Sequence, residues 1–292
     1  MSTQPLIFQA IGTQWHIQLD DNMPAEFTHD LFDRIRERIN LFEQEYSRFL
    51  PDSLLNVMSR EPGRYSLPND ARPIMDLYQK LYVVTNGIFT PLIGQTLVAA
   101  GYDSSYSLQA SDLHSPAAWD EVLEYAYPFL TVKRAVQLDF GGLGKGYVVD
   151  LVVNLLREHH VHSFCINAGG DIYYQNEGNA HISVGLEHPQ DPLQALGVAH
   201  ILNQSICGSS GSRRTWGNFH HIIDPHSLSS PKHILATWVV AQTTFLADAM
   251  ATCLFLVPSS ILLKEFEFEY FILLADYSVQ KSANFPAEIF TT

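Results

Sequence analysis

Basic residues are scarce in this chain of 292 residues: 17 lysines and arginines stand against 31 acidic side chains, a formal charge of −14. A polyanionic partner needs clustered cations, so nucleic acid and anionic membrane surfaces are excluded as general partners. Cysteine is sparse too. Cys165, Cys207 and Cys253 are odd in number and far apart, which excludes a disulfide framework or a zinc site and reads as buried thiols in a reducing compartment. No run reaches the roughly 18 apolar residues of a membrane span. The most apolar stretch, Phe245 to Val257, is too short and carries Asp248. The opening Met1 to Phe8 lacks a basic region, a long apolar stretch and a cleavage site, so a cytoplasmic protein is expected. There is no internal repeat and no proline- or glycine-rich linker. That allows one large domain over 1–292, or two intimately packed halves.

The most informative stretch that is present runs Leu138-Asp139-Phe140-Gly141-Gly142-Leu143-Gly144-Lys145-Gly146-Tyr147. It joins a strand-like segment, Ala135 to Asp139, to a helix-like one, Tyr147 to His159. Glycines at such a junction let backbone N–H groups approach a bound anion, and the helix N-terminus adds partial positive charge. Lys145 inside the loop points to a phosphate. A turn that only needs flexible residues is the bland alternative. The loop fits neither common nucleotide fingerprint: Gly146 follows Lys145 where a Walker A loop has Ser or Thr, and the Gly-x-Gly-x-x-Gly order is missing.

Periodicity gives the scaffold. Residues 6–20 alternate as a strand, with Trp15, Ile17 and Leu19 on one face. A helix follows from about Pro24 to Tyr46 on the spacing of Phe27, Leu31, Ile35, Ile39 and Phe42. Pro51-Asp52-Ser53 caps a short helix through Met58, and Leu67 to Asp70 opens another that Asn86-Gly87 stops. Residues 101–120 are polar and serine-rich, a surface loop. Strands are expected over 121–140, over Ser163 to Tyr174 around the turn at Asn167-Ala168-Gly169-Gly170, and over 181–185, 197–202, 237–241 and 266–275. A helix spans Thr244 to Val257. Strands and helices interleave without a βαβ rhythm, so the expected class is α+β with mixed or antiparallel sheets.

Three further segments carry chemistry or its structural counterpart. Asn167 to Asp171 permits close backbone approach to a ligand and offers a carboxylate, or is simply a tight hairpin. His220-His221-Ile222-Ile223-Asp224 places a histidine three positions before an aspartate: a general base and its orienter, a ligand edge, or a structural pair. On a strand only one of the two histidines faces the site. Asp248 and Thr252, at i and i+4, share a face of an apolar helix. A carboxylate with a neighbouring hydroxyl suits Mg²⁺ with phosphate oxygens, and the alternative is a carboxylate paired within the core.

Taken in order, these segments resemble the ApbE family of flavin transferases over nearly the whole chain. The resemblance rests on Ile11-Gly12-Thr13, on Tyr46 to Ser53 and on Asn86 to Pro91. It continues through Leu138 to Asp150, Asn167 to Ile172, His221 to Pro225 and Leu246 to Thr252. It implies Mg²⁺-dependent transfer of FMN from FAD to a Ser or Thr hydroxyl of an acceptor protein, with release of AMP. An FAD pyrophosphatase and a non-catalytic flavin carrier are the alternatives. By the same resemblance the Gly142 carbonyl, Asp248 and Thr252 hold Mg²⁺. Ile11, Phe49, Ile88, Phe89, Thr90, Asp139, Gly141, Lys145, Asn167, Gly169, Gly170 and Asp171 line the FAD site. His221 stands by the scissile pyrophosphate with Asp224 beside it. The chain departs from the family pattern in Ile11 for Met, Thr90 for Asp, Ser212 for Asp, and His226-Ser227-Leu228 for Arg-Thr-Gly.

Overall fold

The computed structural model describes residues 4–19 and 23–290. Strand β1 (Leu6–Ala10) and strand β2 (Thr13–Leu19) form an antiparallel hairpin. The expected single strand over 6–20 is therefore two, with Asp20 outside the described residues. The chain reverses at Ile11 and Gly12, both with positive φ. Gly12 takes that conformation at no cost, whereas Ile11 is strained and is held by its neighbours. Trp15, Ile17 and Leu19 are fully buried, as the alternation requires.

Helix α1 (Ala25–Tyr46) buries Leu31, Ile35, Ile39 and Phe42, but Phe27 in its first turn is exposed and meets only the edge of the His159 ring. Helix α2 (Leu54–Arg60) starts at Ser53, whose side chain accepts the Asn56 N–H. Strand β3 (Gly63–Ser66) and helix α3 (Ala71–Val84) follow, then a 3₁₀ turn (Pro91–Ile93), α4 (Gly94–Ala99) and α5 (Trp119–Val122). β4 (Leu123–Ala126) and β5 (Phe129–Val132) complete a small sheet in the order β3-β5-β4.

The segment 135–139 is extended but pairs with no strand. It lies instead against the 3₁₀ turn and α4: the Asp139 N–H donates to the Pro91 carbonyl, and Gly94 leaves no room for a Cβ beside the Gln137 backbone. Helix α6 (Gly144–Glu158) begins three residues earlier than the apolar pattern suggests, so Lys145 stands on its first turn. β6 (Phe164–Ala168) and β7 (Asp171–Gln175) form the expected hairpin. Then come β8 (Ile182–His188), β9 (Asp191–Ile201), β10 (Gln204–Ser210), β11 (Thr215–Trp216), β12 (Phe219–His220) and β13 (Ile234–Ala241). Helix α7 (Thr244–Cys253) stops short of Val257, and α8 (Ser259–Leu262), β14 (Glu269–Leu274), β15 (Val279–Lys281) and β16 (Ala287–Ile289) close the fold.

Eight strands make one antiparallel sheet in the order β1-β2-β6-β7-β10-β13-β14-β15, and β16-β9-β8 make a second. The α+β, antiparallel class expected from the sequence is the class observed. The large sheet is covered on both faces. Along β13, Val239 and Ala241 join the core under the helices, while Ala236, Trp238 and Val240 join a second core shared with Leu186, Ala199 and Ile201 of the small sheet. Burial on both faces explains why β13 is apolar but for Thr237, whose hydroxyl donates to the Ala251 carbonyl at 2.7 Å. Helix α7 lies on β10 and β13 and packs against α6. No helix among the described residues is long and apolar enough to cross a membrane.

Candidate functional site

A cavity of about 600 Å³ opens between the helices and the strand ends of the large sheet. The hairpin tip at 11–13, the α1–α2 connection at 46–50, the 88–97 segment, the glycine loop at 139–145, the end of β10, residues 213–214 and 221–223, and α7 all contribute to its wall. The segment 101–120, expected as a surface loop, supplies the buried Tyr102 and the ring of Tyr106 to the cavity wall. Phe49 stacks on Tyr106, with centroids 5.6 Å apart and planes 4° from parallel, and meets Tyr102 edge-on. This aromatic wall suits a flat ring system.

The charged floor lies where α6 and α7 converge. Lys145 Nζ contacts Asp171 on β7 and lies 3.4 Å from Asp248 Oδ1, while Asp248 Oδ2 accepts the Gly146 N–H at 2.9 Å. Gly146 is required here: a Cβ would run into the Thr244 carbonyl and the Asp248 side chain, so no other residue lets α6 and α7 close to this distance. Burial, and then the charge of Asp171, push the Asp248 carboxyl up to about 7. Burial opposes the charge on Lys145, but the two carboxylates outweigh it and hold that lysine above its ordinary value. Two buried carboxyl groups thus share one ammonium, so the second negative charge calls for either a proton or a further cation beside it.

The glycine loop is fixed from behind. Asp139 Oδ1 accepts the Gly141 N–H at 2.8 Å, and its other oxygen pairs with Arg48, whose guanidinium lies 4.2 Å over the Phe49 ring. The Tyr78 hydroxyl donates to the Asp139 carbonyl at 3.1 Å, and its ring stacks on Phe89. Thr252 sits one turn beyond Asp248 and faces Gly142: a Cβ on that glycine would lie 3.8 Å from Thr252 Cγ2. Asp248, Thr252 and the adjoining loop carbonyls are hard oxygen donors of the kind Mg²⁺ takes. Among the described residues no group of three His, Cys, Asp or Glu side chains is placed to hold a metal, so any ion here depends on carbonyl and hydroxyl oxygen.

The two histidines part as expected. His220 is buried, with Nε2 3.0 Å from the Pro231 carbonyl, while His221 faces the cavity. Burial, followed by the positive charge of Arg214, His220 and Lys145, lowers His221 to about 3, and its Nδ1 is buried without a hydrogen-bond partner.

Ile11, Phe49, Ile88, Phe89, Thr90, Asp139, Gly141, Gly142, Lys145, Gly169, His221, Asp248 and Thr252 all line this cavity. Four other expected residues do not. Asp224 turns away, because its Oδ1 accepts the backbone N–H groups of His226 and Ser227 at 2.8 and 3.3 Å and closes a local turn. Asn167 Oδ1 accepts the Gly170 N–H and holds the β6–β7 turn, so Asn167 and Gly170 shape the site from outside. Asp171 lies behind Lys145 and reaches the cavity only through it. The Thr90 hydroxyl is occupied in accepting the Leu92 N–H at the 3₁₀ turn.

Sequence reasoning missed Arg48, Tyr78, Tyr102, Tyr106, Arg213 and Arg214, all on the cavity wall. For the last two a signal existed: adjacent arginines are conspicuous in a chain this poor in basic residues.

A sequence profile of the ApbE family matches residues 11–269. The FAD:protein FMN transferase of Klebsiella pneumoniae (strain 342) is 27% identical over 247 residues, covering 78% of this chain and 77% of that protein. The FAD:protein FMN transferase of Treponema pallidum (strain Nichols) is 25% identical over 296 residues, covering 88% and 80%. Among solved structures, the flavin transferase ApbE from Vibrio cholerae superposes with a TM-score of 0.80 at 14% identity, over 98% of this chain and 99% of that one. The ApbE protein of Thermotoga maritima gives 0.83 at 18% identity, over 99% and 100%. At those identities the structural likeness establishes the fold.

Proposed function

This chain belongs to the ApbE family, and on that footing we propose that it transfers FMN from FAD to a Ser or Thr hydroxyl of an acceptor protein, releasing AMP. One observation carries the reading: Lys145, backed by Asp171, converges with Asp248 and the neutral His221 on one cavity with an aromatic wall. Both curated relatives described above are named for this transfer. Cavity residues are drawn from Ile11 to Leu256, which supports reading the chain as one functional unit.

Cleaving a phosphoanhydride is mainly a matter of neutralising charge and aligning the incoming oxygen. In the proposed step the acceptor hydroxyl oxygen bonds to the FMN phosphorus, the bond from that phosphorus to the AMP oxygen breaks, and AMP leaves with the electron pair. The hydroxyl proton passes to His221. Burial and neighbouring cations keep that imidazole unprotonated at neutral pH, and an anionic substrate beside it offsets the cations and raises its basicity as the reaction proceeds. A positioned base of this kind contributes about 10²–10⁴-fold. The Gly142 carbonyl, Asp248 and Thr252 would hold Mg²⁺, which supplies charge neutralisation on the diphosphate. Lys145 keeps Asp171 and Asp248 from repelling each other. Phe49, Ile11 and Ile88 to Thr90 pack the ring systems of FAD, and the backbone of Gly141 approaches its phosphates.

The test is incubation of the full chain with FAD, Mg²⁺ and a Ser/Thr-containing acceptor, followed by mass spectrometry of the acceptor and quantification of AMP. The expected result is covalent FMN on the acceptor with equimolar AMP. FMN and AMP without a covalent adduct would make the protein a pyrophosphatase, and intact FAD would make it a carrier.

A further inference from the structure

Among the described residues the cavity wall carries Arg48, Lys145, Arg213 and Arg214. Three of the four are paired with carboxylates. Arg48 is bound to Asp139, Lys145 to Asp171 and Asp248, and Arg213 to Glu187 at 3.0 Å. Arg214 has only neutral partners: Nη1 donates to the Tyr102 hydroxyl at 3.0 Å and Nη2 donates to the Gly12 carbonyl at 3.4 Å. It is half-buried, so its charge is incompletely hydrated. A guanidinium has five N–H donors, and these contacts leave donors for a ligand. In a protein with a net charge of −14, this uncompensated cation stands on the cavity wall.

Its position narrows the ligand. The Arg214 carbonyl accepts the His221 N–H at 3.2 Å, so the two residues are backbone neighbours as well as sharing the wall. The arginine charge is felt at the imidazole, since it is one of the forces that depress His221. Across the cavity, Lys145 is already divided between two carboxylates and has little charge to spare for a substrate. We infer that Arg214 binds the diphosphate bridge of the nucleotide, supplying the cationic contact that Lys145 cannot. The planar fork of an arginine suits two phosphate oxygens at once. This rests on the flavin reading of the cavity and assigns the residue that holds the reacting bond beside its base.

The test is titration of the full chain, at fixed Mg²⁺, with FAD, ADP and riboflavin, using flavin fluorescence and, for ADP, calorimetry. Arg214→Gln is expected to weaken FAD and ADP about 10- to 100-fold while riboflavin, which has no phosphate, shifts less than about twofold. Arg214→Lys should fall between, keeping the charge but losing the fork. Equal weakening of FAD and riboflavin would overturn the inference, reducing Arg214 to a strap between Gly12 and Tyr102. Unchanged FAD and ADP affinity would overturn it too. Arg214-dependent ADP binding without binding of either flavin would keep the anion assignment and sink the flavin reading; flavin binding indifferent to residue 214 would do the reverse.

Discussion

Burial and neighbouring positive charge press the proton off His221, and that has two measurable consequences. The first concerns stability. An unfolded histidine takes up a proton near pH 6.5, whereas the folded one stays neutral to about pH 3. The unfolded state therefore binds more protons across that window, and His221 contributes stability that is lost as pH falls from about 6.5 towards about 3. His221→Asn should flatten the acid-side loss of the urea midpoint. The second concerns rate. The same variant should lower turnover by about 10²–10⁴-fold if His221 is the base, measured as AMP release at saturating FAD. At this scale the sequence was legible where partners are close along the chain. Asp248 and Thr252 share a face because they are one turn apart, and His220 and His221 diverge where β12 ends, His220 reaching the Pro231 carbonyl and His221 the cavity. It was illegible where partners are remote, as with Arg48 and Asp139. Asp224 misled because an aspartate two residues before a free N–H serves its own turn first.

Elements carry the next level of precision. Asp150 on α6 accepts the N–H groups of Thr244 and Phe245 at 2.9 Å each, so one helix caps the start of the other and sets the rotation that presents Asp248. Gly146 fixes their separation. Gly146→Ala forces α6 and α7 apart, at a cost of about 1–3 kcal/mol for overpacking. The expected readout is a lower urea midpoint together with weaker Mg²⁺ dependence of AMP release, because Lys145 and Asp248 ride on the separated helices. Helix α1 was readable because its apolar period is regular, and the β6–β7 hairpin because its turn at Asn167 to Gly170 is recognisable. β10 was not: Gln204-Ser205-Ile206-Cys207-Gly208-Ser209-Ser210 has too few β-branched residues to read as a strand, yet it is held between β7 and β13 in the centre of the sheet. The segment 135–139 errs in the other direction, strand-like in pattern but engaged by the 3₁₀ turn.

Of the two cores that the large sheet separates, only the one under the helices borders the cavity, beside a third small cluster that includes Leu97, Tyr102 and Ile223. Leu186 is fully buried in the far core, where β8 faces the large sheet. Leu186→Ala should cost about 2–5 kcal/mol through the cavity it leaves, seen as a lower urea midpoint. FAD affinity measured below the unfolding transition should be unchanged. Coupled losses in both would mean that the sheet transmits strain between its faces. The alternation along β13 follows from the pleat, and its two-sided burial goes with a run that is apolar but for Thr237. The pairing of the small sheet with the large one depends on contacts no local pattern encodes. The wall of the pocket also has a bearing on synthesis. It joins the hairpin tip at residues 11–13 to helix α7, which begins at Thr244, and the strands between them interleave. On the proposed function, a nascent chain emerging from the ribosome lacks a complete flavin pocket until α7 has been made and docked. A translation product stalled before α7 would then bind no flavin and stay colourless.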